Sequence, residues 1–203
     1  RRQRQMCIRD RVEGIVCGGE SKGGKHAYML LEECVPPVPD ITKDEALARL
    51  ARNYFRSHTP ATLQDFVWWS GLSVTEAKQG IYLIGSELTE EQWKGQTWYL
   101  HESGRTRGSI KGHIRFLPPY DELLLGYKDR TDVLLSEHCS KAFTGNGLFF
   151  PVILYEGQIV GNWDRKAKRN GCDPGYSLFR QESRIDEALL DKAQQQYMQF
   201  LGK

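Results

Sequence analysis

The sequence predicts an α+β protein made of tandem winged-helix units, each a helix-turn-helix with a β-hairpin wing, followed by a C-terminal mixed α/β segment. Three observations carry this. Residues 59–81, TPATLQDFVWWSGLSVTEAKQGI, spell two short capped helices around one glycine. Trp93, Trp98 and Tyr99 bracket Lys94-Gly95-Gln96, an aromatic and polar pattern around a glycine turn that fits two antiparallel strands. Phe149–Tyr155 and Gln158–Trp163 are extended runs joined by Glu156-Gly157, a dipeptide suited to a tight hairpin.

Taken in order, residues 12–38 read as a glycine-rich hairpin, the remnant of an upstream winged-helix unit. Residues 39–102 read as one winged-helix domain and 103–203 as a C-terminal α+β domain. Thr42 and Glu45 open a helix whose Ala46, Leu47, Leu50, Ala51, Tyr54 and Phe55 recur at helical spacing, and His58 to Pro60 ends it. Thr62 with Asp65, and Ser73 with Glu76, mark the next two helix starts by the three-residue spacing of a capping box. Gly71 supplies the positive φ that reverses the chain between them, bringing Phe66 and Val67 against Val74, Ala77 and Ile81. Further on, Pro118-Pro119 forces an extended lead into Asp121, which caps a short helix over Glu122 to Leu125. Ser183 with Asp186 caps a last helix that docks on the sheet through Ile185, Leu189, Ala193, Tyr197 and Phe200.

Three basic clusters fall in turns or wings, where phosphate contact is expected. They are Lys22, Lys25 and His26 at the first hairpin tip; Arg105, Arg107, Lys111, His113 and Arg115 on a glycine-punctuated connector; and Arg165, Lys166, Lys168 and Arg169 after the last hairpin. A solvated surface is the alternative for each. The polar face of the second turn helix, Thr75, Glu76, Lys78 and Gln79, holds one cation, so base reading through bidentate arginine is not expected there. Asp121 has a second reading, as a carboxylate at a cleft mouth that positions water or substrate. Asp129 is expected to pair with Lys128 or Arg130.

The composition excludes several classes. The 203 residues are 39% hydrophobic, enough to bury a core in one or two domains. No run approaches the roughly 20 apolar residues of a membrane span and no secretory signal opens the chain, so a cytoplasmic setting is expected. Cysteines 7, 17, 34, 139 and 172 and the five histidines are scattered, which signals neither a disulfide framework nor a metal site. Gly18 to Lys25 is glycine-rich without Walker spacing.

Four blocks together resemble the bacterial winged-helix DNA-binding-domain family that includes the AlkZ-like DNA glycosylases: SKGGKHAYMLLEECVPP, EALARLARNYFRSHTPATLQDFVWWSGL, FLPPYDELLLGYKDR and FFPVILYEGQIVGNWDR with its closing helix. The resemblance implies double-stranded DNA as partner and hydrolysis of the N-glycosidic bond to an alkylated purine, without metal or organic cofactor. It also implies a longer chain, with this sequence at its C-terminal part and a Gln-x-Gln or Gln-x-Asp catalytic motif in the missing N-terminal part. Gln3 and Gln5 imitate that motif. They lie in RRQRQMCIRD, which resembles a translated sequencing-adapter peptide, and residues 1–11 are therefore set aside as non-native. Without those ten residues, four arginines against one aspartate, the net charge of +2 becomes −1. A monomer is expected. A non-enzymatic winged-helix regulator or architectural protein is the other reading, because the fold does not fix the activity.

Overall fold

The computed structural model describes residues 8–21, 23–25, 27–37, 39–104, 108–168, 171–179 and 185–200, with the backbone alone at 165–168 and 171–174. The chain divides into two compact units, Arg1–Thr42 and Lys43–Lys203. In the first, residues 8–12 are helical (α1), and Arg9 pairs with Glu13 one turn on at 2.7 Å. The expected hairpin follows. Strands β1 (Val16–Gly18) and β2 (Tyr28–Leu30) pair antiparallel, with Cys17 opposite Met29, and a short helix α2 (Leu31–Cys34) leaves the second strand.

The second unit begins with α3 (Lys43–Ser57), whose Leu47, Ala51, Tyr54 and Phe55 are buried as the spacing requires; Ala46, expected in the same stripe, faces solvent. Helices α4 (Leu63–Ser70) and α5 (Val74–Leu83) form the helix-turn-helix, and both capping boxes are complete. Gly71 sits between them at φ 70°, a left-handed conformation that a Cβ would strain. Phe66, Ala77 and Ile81 enter the core, whereas Val74 stands 44% exposed, because the first residue of α5 points away from its neighbours. Complete burial of Tyr54, Phe55 and Phe66 anchors this core, each ring contributing about 2–3 kcal/mol.

The antiparallel hairpin expected around Lys94-Gly95 is present. Strands β4 (Leu88–Trp93) and β5 (Gln96–His101) turn at Lys94-Gly95, both at positive φ, and a two-residue strand β3 (Ala61–Thr62) completes a sheet of order β3-β5-β4. Arg52 of α3 grips Glu87 through three hydrogen bonds of 2.7–3.0 Å, fixing the hairpin's base to the helices.

Beyond it an antiparallel sheet runs β6 (Ile114–Leu117), β7 (Val152–Tyr155), β8 (Gln158–Lys168) and β9 (Gly171–Leu178) in sequence order. The turn at Glu156-Gly157 is the expected one, but the first run starts at Val152 rather than Phe149, which makes only an isolated bridge to Phe143. A second difference matters more. Strand β8 does not stop at Trp163; it continues to Lys168 and pairs with β9 from Gly161↔Leu178 to Lys168↔Gly171.

Short helices α6 (Glu122–Leu125) and α7 (Cys139–Ala142) sit in the connection before β7, and α8 (Glu187–Phe200) closes the chain. Ile185, Leu190 and Ala193 are buried against Ile114, Ile153 and Trp163, so the last helix docks on the sheet. Two details differ from expectation. Phe200 is 84% exposed at the helix end, and Asp186 itself caps the helix by accepting from Ala188 N at 3.0 Å. The expected contribution of Ser183 lies outside the described residues.

Candidate nucleic-acid interface

The basic residues singled out by sequence fall into distinct settings. Lys25 is exposed beside the paired strands of the first unit, while Lys22, His26, Arg105 and Arg107 lie outside the described residues. Lys111 and His113 are exposed on the loop into β6, held where Gly112 N donates to Glu156 Oε1 at 2.7 Å. Arg165 and Lys166 do not follow the last hairpin as expected. They are strand residues of β8, paired in register with Pro174 and Asp173, because β8 and β9 extend the ladder past Trp163.

Helix α5, the second of the helix-turn-helix, has Glu76 and Gln79 of its polar face engaged within the unit. Glu76 accepts from Ser73 N and Oγ and pairs with Lys43 Nζ at 2.7 Å, while Gln79 donates to Asp44 at 2.6 Å. The hydrogen bond from Lys43, then those from Ser73, hold the Glu76 carboxyl at about 2, below its usual 4.5. Its folded value is the lower one. The stabilisation it gives is therefore complete above about pH 4.5 and drains away as the pH falls towards 2. A carbon-detected NMR titration is expected to show the Glu76 midpoint near 2, moving up in Lys43→Met. A midpoint at the ordinary carboxylate value in the native chain would mean that the exposed pair does not form.

Between the β4–β5 hairpin and residues 128–132 runs a cleft of about 630 Å³, bordered by Gln64, Gln96, Trp98, Lys128 and Thr131. A smaller cavity of about 280 Å³ adjoins it, walled by Trp93, Trp98, Tyr127 and Arg130. Lys94 at the hairpin tip pairs with Asp132 and lies 4.2 Å from the Trp93 ring centre, closing the hairpin onto this loop. Arg130 is held on the Leu124 carbonyl, with its guanidinium 5.2–5.7 Å from the rings of Trp68, Phe143 and Phe149, and burial lowers its pKa. Tyr127 is pushed up to about 12 by burial and then by the charge of Asp65, so its hydroxyl stays neutral.

Asp121 is the N-cap of α6, accepting from Leu123 N at 2.9 Å, and it borders neither of these spaces. Asp129 accepts from Thr131 N and Oγ1 at 2.9 and 2.8 Å in place of the expected pairing with Lys128 or Arg130. Those bonds, backbone first, lower its pKa. Sequence reasoning passes over two features. Asp65, read only as a cap, also accepts from Lys128 N across the unit at 2.8 Å. Gln194-Gln195-Gln196 on α8 has Gln-x-Gln spacing, and Gln196 borders a groove with Lys192. Among the described residues no group of three or more His, Cys, Asp or Glu is placed to hold a metal, and no helix is long and apolar enough to cross a membrane.

Comparison with known proteins adds three findings. The family model described as DNA glycosylase AlkZ-like matches residues 3–200, a span that begins inside the first eleven residues. An interstrand DNA cross-link repair glycosylase of Streptomyces sahachiroi is 27% identical over 164 residues, covering 74% of this chain and 43% of the relative. The solved structure of Streptomyces sahachiroi DNA glycosylase AlkZ has a similar fold, with a TM-score of 0.74 at 24% identity over 89% of this chain and 50% of that one. The chain thus spans half or less of the length of the relatives it matches.

Proposed function

Because this chain belongs to the AlkZ-like DNA glycosylase family, we propose that it is the duplex-gripping C-terminal part of a glycosylase that excises alkylated purines or unhooks interstrand crosslinks. The family match along residues 3–200 carries this reading, and the cross-link repair named for the Streptomyces relative supports the second substrate class. The chemistry is hydrolysis of the N-glycosidic bond. Alkylation places positive charge on the base and makes it a good leaving group, so the enzyme needs a positioned water and a group to stabilise charge developing on the sugar. In this proposal those groups come from a segment upstream of Val12, and residues 1–11 are not part of the native protein.

The grip is assigned to Lys22, Lys25, His26, Arg105, Arg107, Lys111, His113, Arg165 and Lys166, through phosphates rather than base edges. Helix α5 fits this division, since Glu76 and Gln79 are engaged by Lys43 and Asp44 instead of facing a groove of DNA. We read 39–102 as one winged-helix domain, 12–38 as the hairpin remnant of the unit before it and 103–203 as the C-terminal α+β domain. The protein acts as a cytoplasmic monomer without metal or cofactor.

The test uses duplex carrying an N7-methylated guanine, incubated with this chain and with the longer protein restored at its N-terminus, then resolved after alkali. The longer protein is expected to release the base without added metal and leave an alkali-labile abasic site; this chain alone is expected to bind the duplex weakly and to excise no base. If the longer protein cleaves no alkylated or crosslinked duplex, the non-enzymatic binding module takes the place of the enzyme. Excision by this chain that is lost in Asp121→Asn would move the catalytic carboxylate into α6.

A further inference from the structure

We infer that the groove between β6 and α8 is a phosphate seat for the DNA backbone, in which Lys192 of the last helix completes a site begun by Lys111, His113 and Arg115. The groove has a volume of about 280 Å³. Its walls come from parts of the chain some eighty residues apart. His113 and Arg115 flank Ile114, which is buried in one cluster with Leu190 and Ala193 of α8, and His113, Ile114 and Arg115 all border the groove. On α8, Leu189, Lys192, Ala193 and Gln196 follow i, i+3, i+4, i+7 spacing and make one stripe, with Ala193 buried and Lys192 and Gln196 at the rim.

The charge is one-sided. Lys111, Arg115 and Lys192 contribute three cations beside the His113 ring, and no Asp or Glu lines the groove among the described residues. The neighbouring Glu156 is turned to Gly112 N, which steadies the loop carrying Lys111. Arg115 donates to the Ile114 carbonyl through Nη1 at 2.8 Å, one of the five N–H donors of its guanidinium. Strand β6 is also the edge of its sheet, so the backbone groups on its outer side are not taken by another strand. Cations on the walls of one groove repel one another until an anion sits among them. A phosphodiester meets the lysines as point charges and Gln196 as a neutral donor.

This inference rests on the DNA-binding reading and sharpens it, because it names a seat rather than a diffuse basic surface. Lys192→Ala is expected to weaken binding to duplexes of unrelated sequence alike and to flatten the plot of log affinity against log salt by about 0.9 for each phosphate that the chain no longer neutralises. Lys192→Arg should keep the slope, and Lys141→Ala, which removes the same charge elsewhere, should leave it unchanged. The melting midpoint of Lys192→Ala serves as the check that this rim substitution leaves the fold intact. A native chain that binds duplex while Lys192→Ala keeps both affinity and slope would overturn the seat and leave the proposed function standing. A native chain that binds no duplex at any salt would overturn both. Inorganic phosphate supplies the remaining arm: saturable shifts of the His113 ring resonances with phosphate, alongside an unaltered DNA slope in Lys192→Ala, would make the groove a small-anion site and overturn its assignment to DNA.

Discussion

Asp65→Ala is expected to destabilise the chain by about 3 kcal/mol or more, with a melting midpoint roughly 6–12 °C lower. Asp65 is only 3% exposed, and its two oxygens bind separate parts of the chain. One oxygen accepts from Thr62 N at 2.9 Å and Thr62 Oγ1 at 2.7 Å, which closes the capping box at the start of α4. The other accepts from Lys128 N at 2.8 Å, tying the segment after α6 to the helix-turn-helix. Truncation removes a cap worth about 1 kcal/mol and orphans two backbone N–H groups, at about 1–3 kcal/mol for each that stays dry. Asp65→Asn keeps one carbonyl oxygen and should destabilise about half as much. Urea unfolding measures the total, and amide exchange at Lys128 reports the second bond separately. A midpoint within experimental error of the native one would show that water replaces the carboxylate and that this staple carries no stability.

The two roles of Asp65 mark the boundary of what the sequence discloses. Caps and tight turns are written locally: three residues separate Thr62 from Asp65 and Ser73 from Glu76, and Gly71, Lys94-Gly95 and Glu156-Gly157 sit at the positive-φ positions their turns require. The bond from Lys128 spans 63 residues, and no local pattern encodes it. Strand β9 is hidden for a related reason. GCDPGYSL is rich in residues that break strands, yet it pairs along β8 because β9 is the sheet's edge, where a proline opposite Arg165 is tolerated. That pairing is what moves Arg165 and Lys166 from a loop into a strand.

The candidate interface divides in the same way. Lys111, His113 and Arg115 stand close along the chain and group together on that ground alone, whereas Lys192 and Gln196 join them only once α8 has folded onto the sheet. Charge proximity along the chain is legible; proximity through the fold is not. The cavity beside the β4–β5 hairpin shows the same limit, since Trp93 and Trp98 meet Tyr127 and Arg130 from a different part of the chain. Its lysine latch, Lys94 on Asp132, crosses 38 residues.

Gly126→Ala carries the second large expected effect, and its cause is space rather than conformation. Gly126 has φ −71°, ordinary for any residue, but a Cβ there would lie 2.3 Å from His58 Cδ2, 2.4 Å from His58 Nε2 and 2.8 Å from the Glu122 carbonyl oxygen. Real side chains never come that close. His58 has little freedom to retreat: its ring stacks on Tyr54 at 4.6 Å, packs edge-on to Tyr127 at 5.7 Å, and is bonded to Ser57 Oγ at 2.8 Å and Glu122 at 3.3 Å. The Gly126 carbonyl also receives the buried Tyr54 hydroxyl at 2.9 Å, so moving the backbone breaks that bond as well. Overpacking of this kind costs about 1–3 kcal/mol, and the broken hydrogen bond adds about 1 kcal/mol. The expected total is about 3 kcal/mol by urea unfolding. The double variant His58→Ala with Gly126→Ala separates the cause, because removing the ring gives the new methyl its room. The pair should then be at least about 1 kcal/mol more stable than the sum of its single changes predicts. Strict additivity would mean that the two residues do not collide and that the end of α3 and the end of α6 pack less closely here than the distances state.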